Sequence, residues 1–160
     1  IGGVFATEEV MAPIAARGEE VMFYTYSAHP AACAVAEKVL EIMERESLVA
    51  RAAEMGQYLR ERLDVLRDHP NVGEVRGRGL LQAIEIVRDR ESLEPFAPER
   101  RIATRTVVAG LQRGVFFYPG GTKPGPDVVC LGPPFTVSKQ EIDRIVEVLG
   151  DSLSAAAEKG

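Results

Sequence analysis

The sequence has few of the side chains from which metal centres, disulfide frameworks and nucleophilic sites are built. Among 160 residues there are two Cys and two His. Cys33 and Cys130 lie far apart in apolar surroundings, so we predict no disulfide framework and expect a reducing, cytoplasmic setting. No group of His, Cys, Asp and Glu has the spacing of metal ligands, and we therefore predict no metal site.

The sequence also lacks an excess of basic residues and a long apolar run. The formal net charge is -5, so the chain has no basic excess to neutralise phosphates and we predict no nucleic-acid partner. No apolar run approaches the length of a membrane span, and we predict no membrane segment. A hydrophobic content of 46% is enough for a core. The length fits one domain, or one domain plus a piece of another.

Neither His has the surroundings of a catalytic base. His29 opens a predicted helix and His69 precedes a Pro at a helix end, so we interpret both as capping or packing residues. The segment Arg76-Gly77-Arg78-Gly79 lacks the glycine spacing and the Lys of a phosphate loop, and we interpret it as a bend with two surface Arg. The residues therefore show no self-sufficient active site, since a nucleophile needs a neighbouring base.

The spacing of apolar residues predicts five helices. Their apolar side chains recur at positions i, i+3, i+4 and i+7. The predicted helices cover residues 7–14 (shortened by Pro13), 30–46, 47–68, 101–113 (burying Val107, Val108 and Leu111), and a last helix that opens with the capping box Ser138-Lys139-Gln140-Glu141 and frays after residue 154.

Alternating or wholly apolar runs bounded by Gly and Pro predict the strands. Val4-Phe5-Ala6 is interpreted as a short buried strand. Residues 72–87 predict two short strands, or one strongly bent strand, pivoting at Gly77-Arg78-Gly79. Further strands are expected at 115–118 and 128–131, separated by a loop over 119–127. From Ser47 onward the order of elements predicts an α+β domain with helices on one face of a small, largely antiparallel sheet.

A segment rich in aromatic and hydroxyl side chains, residues 23–30, directly precedes the second predicted helix. A Thr hydroxyl and free backbone N–H groups beside a helix N-terminus can bind an anion. Thr25 and Ser27 are equally suited to cap the helix, as small hydroxyl residues commonly do. From the residues alone, both interpretations stay open.

Four motifs, in order along the whole chain, carry a resemblance to a known family. They are Gly2-Gly3-Val4 before a short helix, Thr25-Tyr26-Ser27-Ala28-His29-Pro30-Ala31-Ala32-Cys33-Ala34, Val75-Arg76-Gly77-Arg78-Gly79-Leu80-Leu81, and Pro133-Pro134-Phe135-Thr136-Val137 before a helix with Glu141-Ile142-Asp143. The second is close to the pattern T-Y-S-G-H-P-x-A-C-A. Together they resemble the C-terminal part of the class-III (subgroup II) aminotransferases.

The resemblance implies an α/β fold, that of the fold-type I pyridoxal-phosphate transferases. The implied reaction moves an amino group from an amine or an ω-/β-amino acid donor to a keto acid. It implies that residues 1–30 are the tail of the large cofactor-binding domain, 31–46 an interdomain helix and 47–160 the C-terminal small domain. Thr25 matches the Thr that hydrogen-bonds the phosphate of pyridoxal 5'-phosphate in the active site of the other subunit. A homodimer with shared active sites is therefore implied.

The catalytic Lys of the family has no match in this sequence. The four Lys, at positions 38, 123, 139 and 159, fall on predicted helix faces or in loops. The resemblance therefore implies that this chain is inactive by itself. It would contribute a phosphate donor, part of the substrate entrance and a mobile small domain.

Two departures from the family bear on the substrate entrance. Met22-Phe23 stands where the family often has His-Gly, and Phe23 and Tyr24 would make the entrance more apolar. Cys130 stands where members that handle ω-amino acids often have an Arg for the substrate carboxylate. Because a Cys cannot form that bidentate contact, we expect an amine, or an amino donor that depends less on a carboxylate, unless Lys123 or another Arg takes this role.

Two other interpretations stay open. A mutase or decarboxylase could share the scaffold, although the aminomutases usually depart from the second motif. A stand-alone α+β dimerisation or ligand-sensing module would explain the missing catalytic residues. It would not explain an opening on a strand-like run without Met, from which we expect a fragment whose N-terminal part is absent.

Overall fold

The structure, a computed structural model, describes residues 2–18, 24–121 and 127–158. Contacts divide the chain into two compact units, residues 1–46 and residues 47–160, and each is described by itself. Within the described ranges no helix is long and apolar enough to cross a membrane.

The first unit begins with an extended segment and a helix, α1 (Glu8–Ala16). Thr7 occupies the predicted N-cap, although its side chain makes no capping hydrogen bond. The expected early end at Pro13 is wrong, because a Pro removes only its own N–H from the helix ladder. The residues after it stay helical, and Arg17 and Gly18 donate to the carbonyls of Ile14 and Ala15.

The predicted buried strand at Val4-Phe5-Ala6 is wrong. Val4 and Phe5 are 96% and 98% exposed, and within the described part of the chain no strand pairs with them. An extended segment becomes a strand only when a neighbour takes its backbone hydrogen bonds. The apolar pattern identified the side-chain types correctly, but a local pattern does not show whether a neighbouring strand is present.

The second helix, α2 (Pro30–Arg45), confirms the prediction that Pro30 occupies its first turn. A Pro fits there because its missing N–H has no helical partner in any case. The predicted apolar stripe is present in the sequence, yet α2 buries no residue fully. Val35, Val39 and Leu40 are between 48% and 65% exposed.

The second unit contains a four-stranded antiparallel sheet, as predicted. Its strands are β1 (Val72–Arg78), β2 (Leu81–Ile86), β3 (Tyr118–Gly120) and β4 (Asp127–Leu131). Their spatial order is β1-β2-β4-β3, and every neighbouring pair is antiparallel.

One strand lies further along the chain than expected. We predicted residues 115–118, whereas β3 starts at Tyr118 and includes Pro119 and Gly120, which we had assigned to a loop. The Val115 N–H donates to the Gly110 carbonyl at 3.0 Å and so ties this segment to the preceding helix. Pairing with β4 therefore begins only at Tyr118.

Three long helices cover one face of this sheet, as predicted. They are α3 (Leu48–Asp64), continued by a 3-10 turn (Val65–Asp68), α4 (Ile102–Gln112) and α5 (Lys139–Glu158). Buried helix residues join alternate strand residues in one core cluster; its strand and helix members include Val75, Ile84, Ile86, Val129, Leu131, Leu59, Leu63, Val107, Ile142 and Leu149.

Two helix details correct the predictions. In α4 the buried face holds Ile102, Thr106 and Val107, whereas Val108 and Leu111 are about half exposed. The C-terminal turns of α5 remain helical to Glu158, because Ala156 is buried in the core. The Arg100 guanidinium also donates to the Ala157 carbonyl at 2.7 Å.

The predicted capping box at the start of α5 is confirmed. The Glu141 N–H donates to Ser138 Oγ at 3.2 Å, and the Ser138 N–H donates to Glu141 Oε2 at 2.7 Å. These two bonds satisfy backbone donors that the helix itself leaves free. The Ser138 N–H and the Ser138 hydroxyl both donate to Glu141 Oε2, and these two bonds hold the pKa of Glu141 below its usual value.

A close backbone approach joins α3 to the β1–β2 turn. A Cβ atom on Gly56 would lie 2.3 Å from the Gly79 carbonyl carbon and 2.4 Å from its Cα. Gly79 has a φ of +56°, so it fills a turn position that favours glycine. A chain reversal near the predicted pivot Gly77-Arg78-Gly79 is therefore confirmed, but Gly77 and Arg78 still pair within β1 and the turn itself is Gly79-Leu80.

We expect Gly56→Ala to destabilise the protein by about 1–3 kcal/mol, because the added methyl meets backbone atoms that cannot move aside cheaply. Helix propensity alone would favour Ala by up to about 1 kcal/mol, so the sign of the change separates the two effects. Urea unfolding measures it. Gly132→Ala is the control, since nothing lies within 4 Å of its Cβ position; stabilisation by Gly56→Ala would contradict the packing.

Candidate functional site

Thr25 lies in a tight turn immediately before α2. The Ser27 N–H donates to the Tyr24 carbonyl at 2.9 Å, and the His29 N–H donates to the Tyr26 carbonyl at 3.4 Å. Ala28 completes the turn in the left-handed region with a φ of +54°. The family pattern has Gly at this position, which is the residue that adopts such a φ most easily.

The turn leaves the Thr25 hydroxyl exposed near a helix N-terminus. The N-cap residue is His29, whose side chain makes no capping bond, so the alternative that Thr25 or Ser27 caps α2 is wrong. Thr25 is exposed, and no described residue hydrogen-bonds its hydroxyl. A free donor near unsatisfied backbone N–H groups and the positive end of a helix dipole is chemically suited to an anion such as phosphate.

The two aromatic residues predicted for the substrate entrance have different outcomes. Phe23 lies outside the described residues. Tyr24 is 63% exposed at the start of the turn. Tyr24 and Thr25 belong to the first unit, whereas Cys130, the third residue predicted for the entrance, belongs to the second.

Cys130 lies on the face of the sheet that carries no helix. Its register partners place it in a row that crosses all four strands, formed by Arg76, Ala83, Cys130 and Tyr118. Side chains at equivalent positions of paired strands share a face. We call this the open face of the sheet, because the core residues Ile84 and Val129 point to the opposite side.

A shallow apolar groove surrounds Cys130 on the open face. Its volume is about 320 Å³, and it is lined by Leu81, Phe116, Tyr118, Cys130, Leu131 and Gly132. The side chains of Leu81, Phe116 and Tyr118 are 63–69% exposed. None of the described residues that line this groove is charged. The prediction from sequence named only Cys130, because its groove partners are brought together by strand register.

Arg76 stands at the other end of the same row and is held by two carboxylates. Its Nη1 donates to Glu74 Oε2 and to Glu85 Oε2, both at 2.7 Å. The hydrogen bond that Arg76 donates to Glu85 raises the pKa of Arg76 above its usual value. Arg78 is exposed and has no ion pair with a described residue. The prediction of a bend with two surface Arg is thus correct for Arg78, whereas Arg76 is partly buried and ion-paired.

His69 has a structural role, as predicted. The Asn71 N–H donates to His69 Nδ1 at 3.1 Å, so Nε2 carries the proton and donates to Ser154 Oγ at 3.0 Å. Partial burial lowers the pKa of His69 below its usual value of 6.5. The neutral ring therefore bridges the end of the α3 segment and α5.

The Lys side chains that the structure describes lie on helix surfaces. Lys38 pairs with Glu41 on α2, and Lys139 lies 4.0 Å from Glu54 and over the Tyr58 ring. Lys123 and Lys159 lie outside the described residues. Over residues 2–18, 24–121 and 127–158 no cluster of His, Cys, Asp and Glu could hold a metal ion.

Comparison with known proteins assigns the chain to a family. Residues 1–153 match the family model described as Aminotransferase class-III. The chain belongs to the class-III aminotransferases. An uncharacterized aminotransferase of Schizosaccharomyces pombe is 45% identical over 137 residues, which are 83% of this chain and 30% of that protein. The diaminobutyrate–2-oxoglutarate transaminase of Halomonas elongata is 38% identical over 77% of this chain and 26% of its own length.

Solved structures show the same fold for this class-III chain. An (S)-enantioselective omega-transaminase from Thermomicrobium roseum has a TM-score of 0.81 and 36% identity, covering 95% of this chain and 33% of its own. The C-terminal fold of a pyridoxal-phosphate transferase, predicted from the motifs, is thus confirmed. The chain spans about 30% of the length of the curated relatives that it matches.

We expect the protein to lose stability as the pH falls below about 6.5, because the folded state binds the His69 proton less well than the unfolded state does. The loss of stability toward acidic pH follows from the lowered pKa of His69. Urea midpoints at neutral and mildly acidic pH measure it. His69→Gln should flatten this pH dependence, whereas Ser154→Ala should lower the midpoint similarly at both pH values. If the urea midpoint of His69→Gln changes with pH as much as that of the unaltered protein, His69 is not the group responsible.

Proposed function

We propose that this chain is the C-terminal part of a transaminase that moves an amino group from a donor to a keto acid with pyridoxal 5'-phosphate. The observation that supports it most is the exposed Thr25 hydroxyl in the turn before α2, within a chain of the class-III family. The open face of the second unit then contributes to the substrate entrance through Cys130 and its groove.

The residues in this chain fit the phosphate of the cofactor. Thr25 is a neutral donor without a described partner, near backbone N–H groups that α2 leaves free. A dianionic phosphate gains most from such donors, since bonds to charged acceptors are the stronger ones. When bound, the cofactor supplies the electron sink that amino transfer needs. The part of this chain is to hold and orient it.

Catalysis needs a Lys that this chain does not provide. Lys38 and Lys139 are exposed and engaged with Glu41 and with Glu54 and Tyr58. No residue of this chain matches the catalytic Lys of the family, so we infer that amino transfer requires sequence beyond these 160 residues. The Schizosaccharomyces pombe relative, which is about three times as long as this chain, has further sequence in which such a Lys can lie.

We propose that Thr25 acts across a homodimer interface, in the active site of the other subunit. In the same arrangement α2 links the large domain to the second unit, residues 47–160, which closes over the substrate and excludes water.

A cytoplasmic location agrees with two Cys that form no disulfide in the structure.

The groove around Cys130 favours a donor without a required carboxylate. Its walls are apolar, and on the same face Arg76 is already neutralised by two carboxylates. A carboxylate placed there would lose water without gaining a bidentate partner. The neighbour from Thermomicrobium is named an omega-transaminase, whereas the Halomonas relative is named for an amino acid donor. The apolar lining of the groove supports a donor that does not require a carboxylate.

Thr25→Val in the protein extended to the length of its relatives should weaken cofactor retention about ten- to a hundredfold, the equivalent of one charge-assisted hydrogen bond of about 1.5–3 kcal/mol. Equilibrium dialysis against the cofactor, followed by its visible absorbance, measures the change. Thr25→Ser keeps the hydroxyl and should retain most of the affinity. The 160-residue chain alone should show no amino transfer.

Mixed dimers test whether Thr25 acts across the interface. Subunits with Thr25→Val are combined with subunits whose catalytic Lys is replaced. If Thr25 serves the other subunit, each mixed dimer regains one complete site and activity returns. If mixing restores no activity although mixed dimers form, Thr25 serves its own subunit. Equal cofactor affinity in Thr25→Val and the unaltered protein would remove Thr25 from the site.

Donor preference is the second prediction from this site. The extended protein should use arylalkyl amines more efficiently than 4-aminobutyrate or ornithine, measured as kcat/KM with pyruvate as acceptor. Cys130→Arg should shift the ratio toward 4-aminobutyrate, because it adds the cation that the groove lacks. Cys130→Ser is the control of similar size. A strong preference of the unaltered protein for 4-aminobutyrate or ornithine would overturn the donor assignment.

A further inference from the structure

A second, larger groove lies on the helical side of the second unit, on the far side of the sheet from Cys130. It runs between α4 and the C-terminal turns of α5 and has a volume of about 700 Å³. This size is typical of sites for small organic ligands. Neither the family motifs nor the groove at Cys130 involves it. Its most frequent lining residue is Arg, with four members: Arg100, Arg101, Arg105 and Arg113.

The charge of this groove is opposite to that of the chain. The net charge of the protein is -5, yet the four Arg of the groove are accompanied by one acidic lining residue, Glu99. Charges of one sign along a low-dielectric wall raise the local concentration of counter-ions. The groove is therefore positioned to attract an anion.

Three of the four groove Arg, namely Arg100, Arg101 and Arg113, differ from most other Arg in the second unit. Ion pairs within 4.0 Å engage the Arg at positions 60, 62, 67, 76, 88, 90 and 144. Arg100, Arg101 and Arg113 form no ion pair with any residue that the structure describes. Guanidinium groups without carboxylate partners can bind an external anion without first breaking a salt bridge.

The Arg100 side chain is fixed in place while part of its hydrogen-bonding capacity is unused. Its Nη2 donates to the Ala157 carbonyl at 2.7 Å, and its guanidinium lies 5.0 Å from the centroid of the Phe96 ring. Its Nε is buried, and no residue in the described part of the chain accepts a hydrogen bond from it. A cation held in one orientation loses less entropy when it binds a ligand.

The spacing along α4 suits a ligand with adjacent charges. Arg101 and Arg105 are separated by one helical turn, a rise of about 6 Å. Val108 and Ala109 continue the same helical face, and Ala155 and Ala156 of α5 add small apolar side chains. Arg binds phosphate oxygens in pairs through its planar fork of donors. The apolar part of the lining offers contact for an organic group beside the charges.

We propose that this groove binds a small molecule that carries two or more adjacent phosphate groups. The proposal is independent of the transaminase assignment, because it uses no residue of the cofactor or substrate sites. Pyrophosphate and a nucleoside triphosphate such as ATP share the required chemistry. They differ only in whether an organic group fills the apolar part of the groove.

Isothermal titration of the chain with pyrophosphate, ATP and adenosine tests the proposal. Pyrophosphate and ATP should bind at a single saturable site, and rising salt should weaken both. The double variant Arg101→Gln/Arg105→Gln should lose about tenfold or more in affinity. Tighter binding of ATP than of pyrophosphate identifies a nucleotide as the ligand, and equal affinity identifies the diphosphate group alone.

Arg90→Gln is the matched control, because Arg90 is a similarly exposed Arg outside the groove with a single distant carboxylate partner at 3.8 Å. It should bind both ligands as the unaltered protein does. Thermal unfolding confirms that each variant is folded, and Arg113→Gln replaces the double variant if that one is not. The proposal is overturned if pyrophosphate and ATP do not bind saturably, if the groove variant and Arg90→Gln lose affinity equally, or if adenosine binds as tightly as ATP.

Discussion

The second unit depends on the burial of alternate strand residues beneath helices on one side of the sheet. Val75, Ile84 and Val129 point into one core with α3, α4 and α5. Because side chains alternate along a strand, the same register that fills the core places Arg76, Cys130 and Tyr118 on the opposite, helix-free face. The position of the candidate substrate groove is thus a consequence of core packing.

The two sides of this unit have different chemistry. The open face combines an apolar groove at Cys130 with an Arg76 that two Glu neutralise. The helical side presents Arg100 and Arg101 without ion pairs to described residues. The first side exposes apolar side chains, and the second exposes Arg side chains. One small sheet with a single helical layer can therefore separate two kinds of ligand chemistry.

In the first unit, the turn before α2 separates the Thr25 hydroxyl from the cap of the helix. His29 occupies the N-cap without a side-chain capping bond, so the Thr25 hydroxyl is not used to begin α2. The left-handed Ala28 completes the turn between them. The resemblance predicts that Thr25 binds phosphate, and in the turn its hydroxyl is exposed without a hydrogen-bond partner among the described residues.

The sequence by itself determined the elements that depend on neighbours in the chain. These include the capping box Ser138–Glu141, the chain reversal near Gly77–Gly79 and the first turn of α2 at Pro30, together with the family, through its four motifs. Only the tertiary structure decided the start of β3 at Tyr118, the buried face of α4 and the lack of a partner for Val4-Phe5. Local hydrogen bonds are fixed by residues a few positions apart, whereas strand pairing, groove walls and buried faces depend on residues distant in sequence, whose register no local pattern specifies.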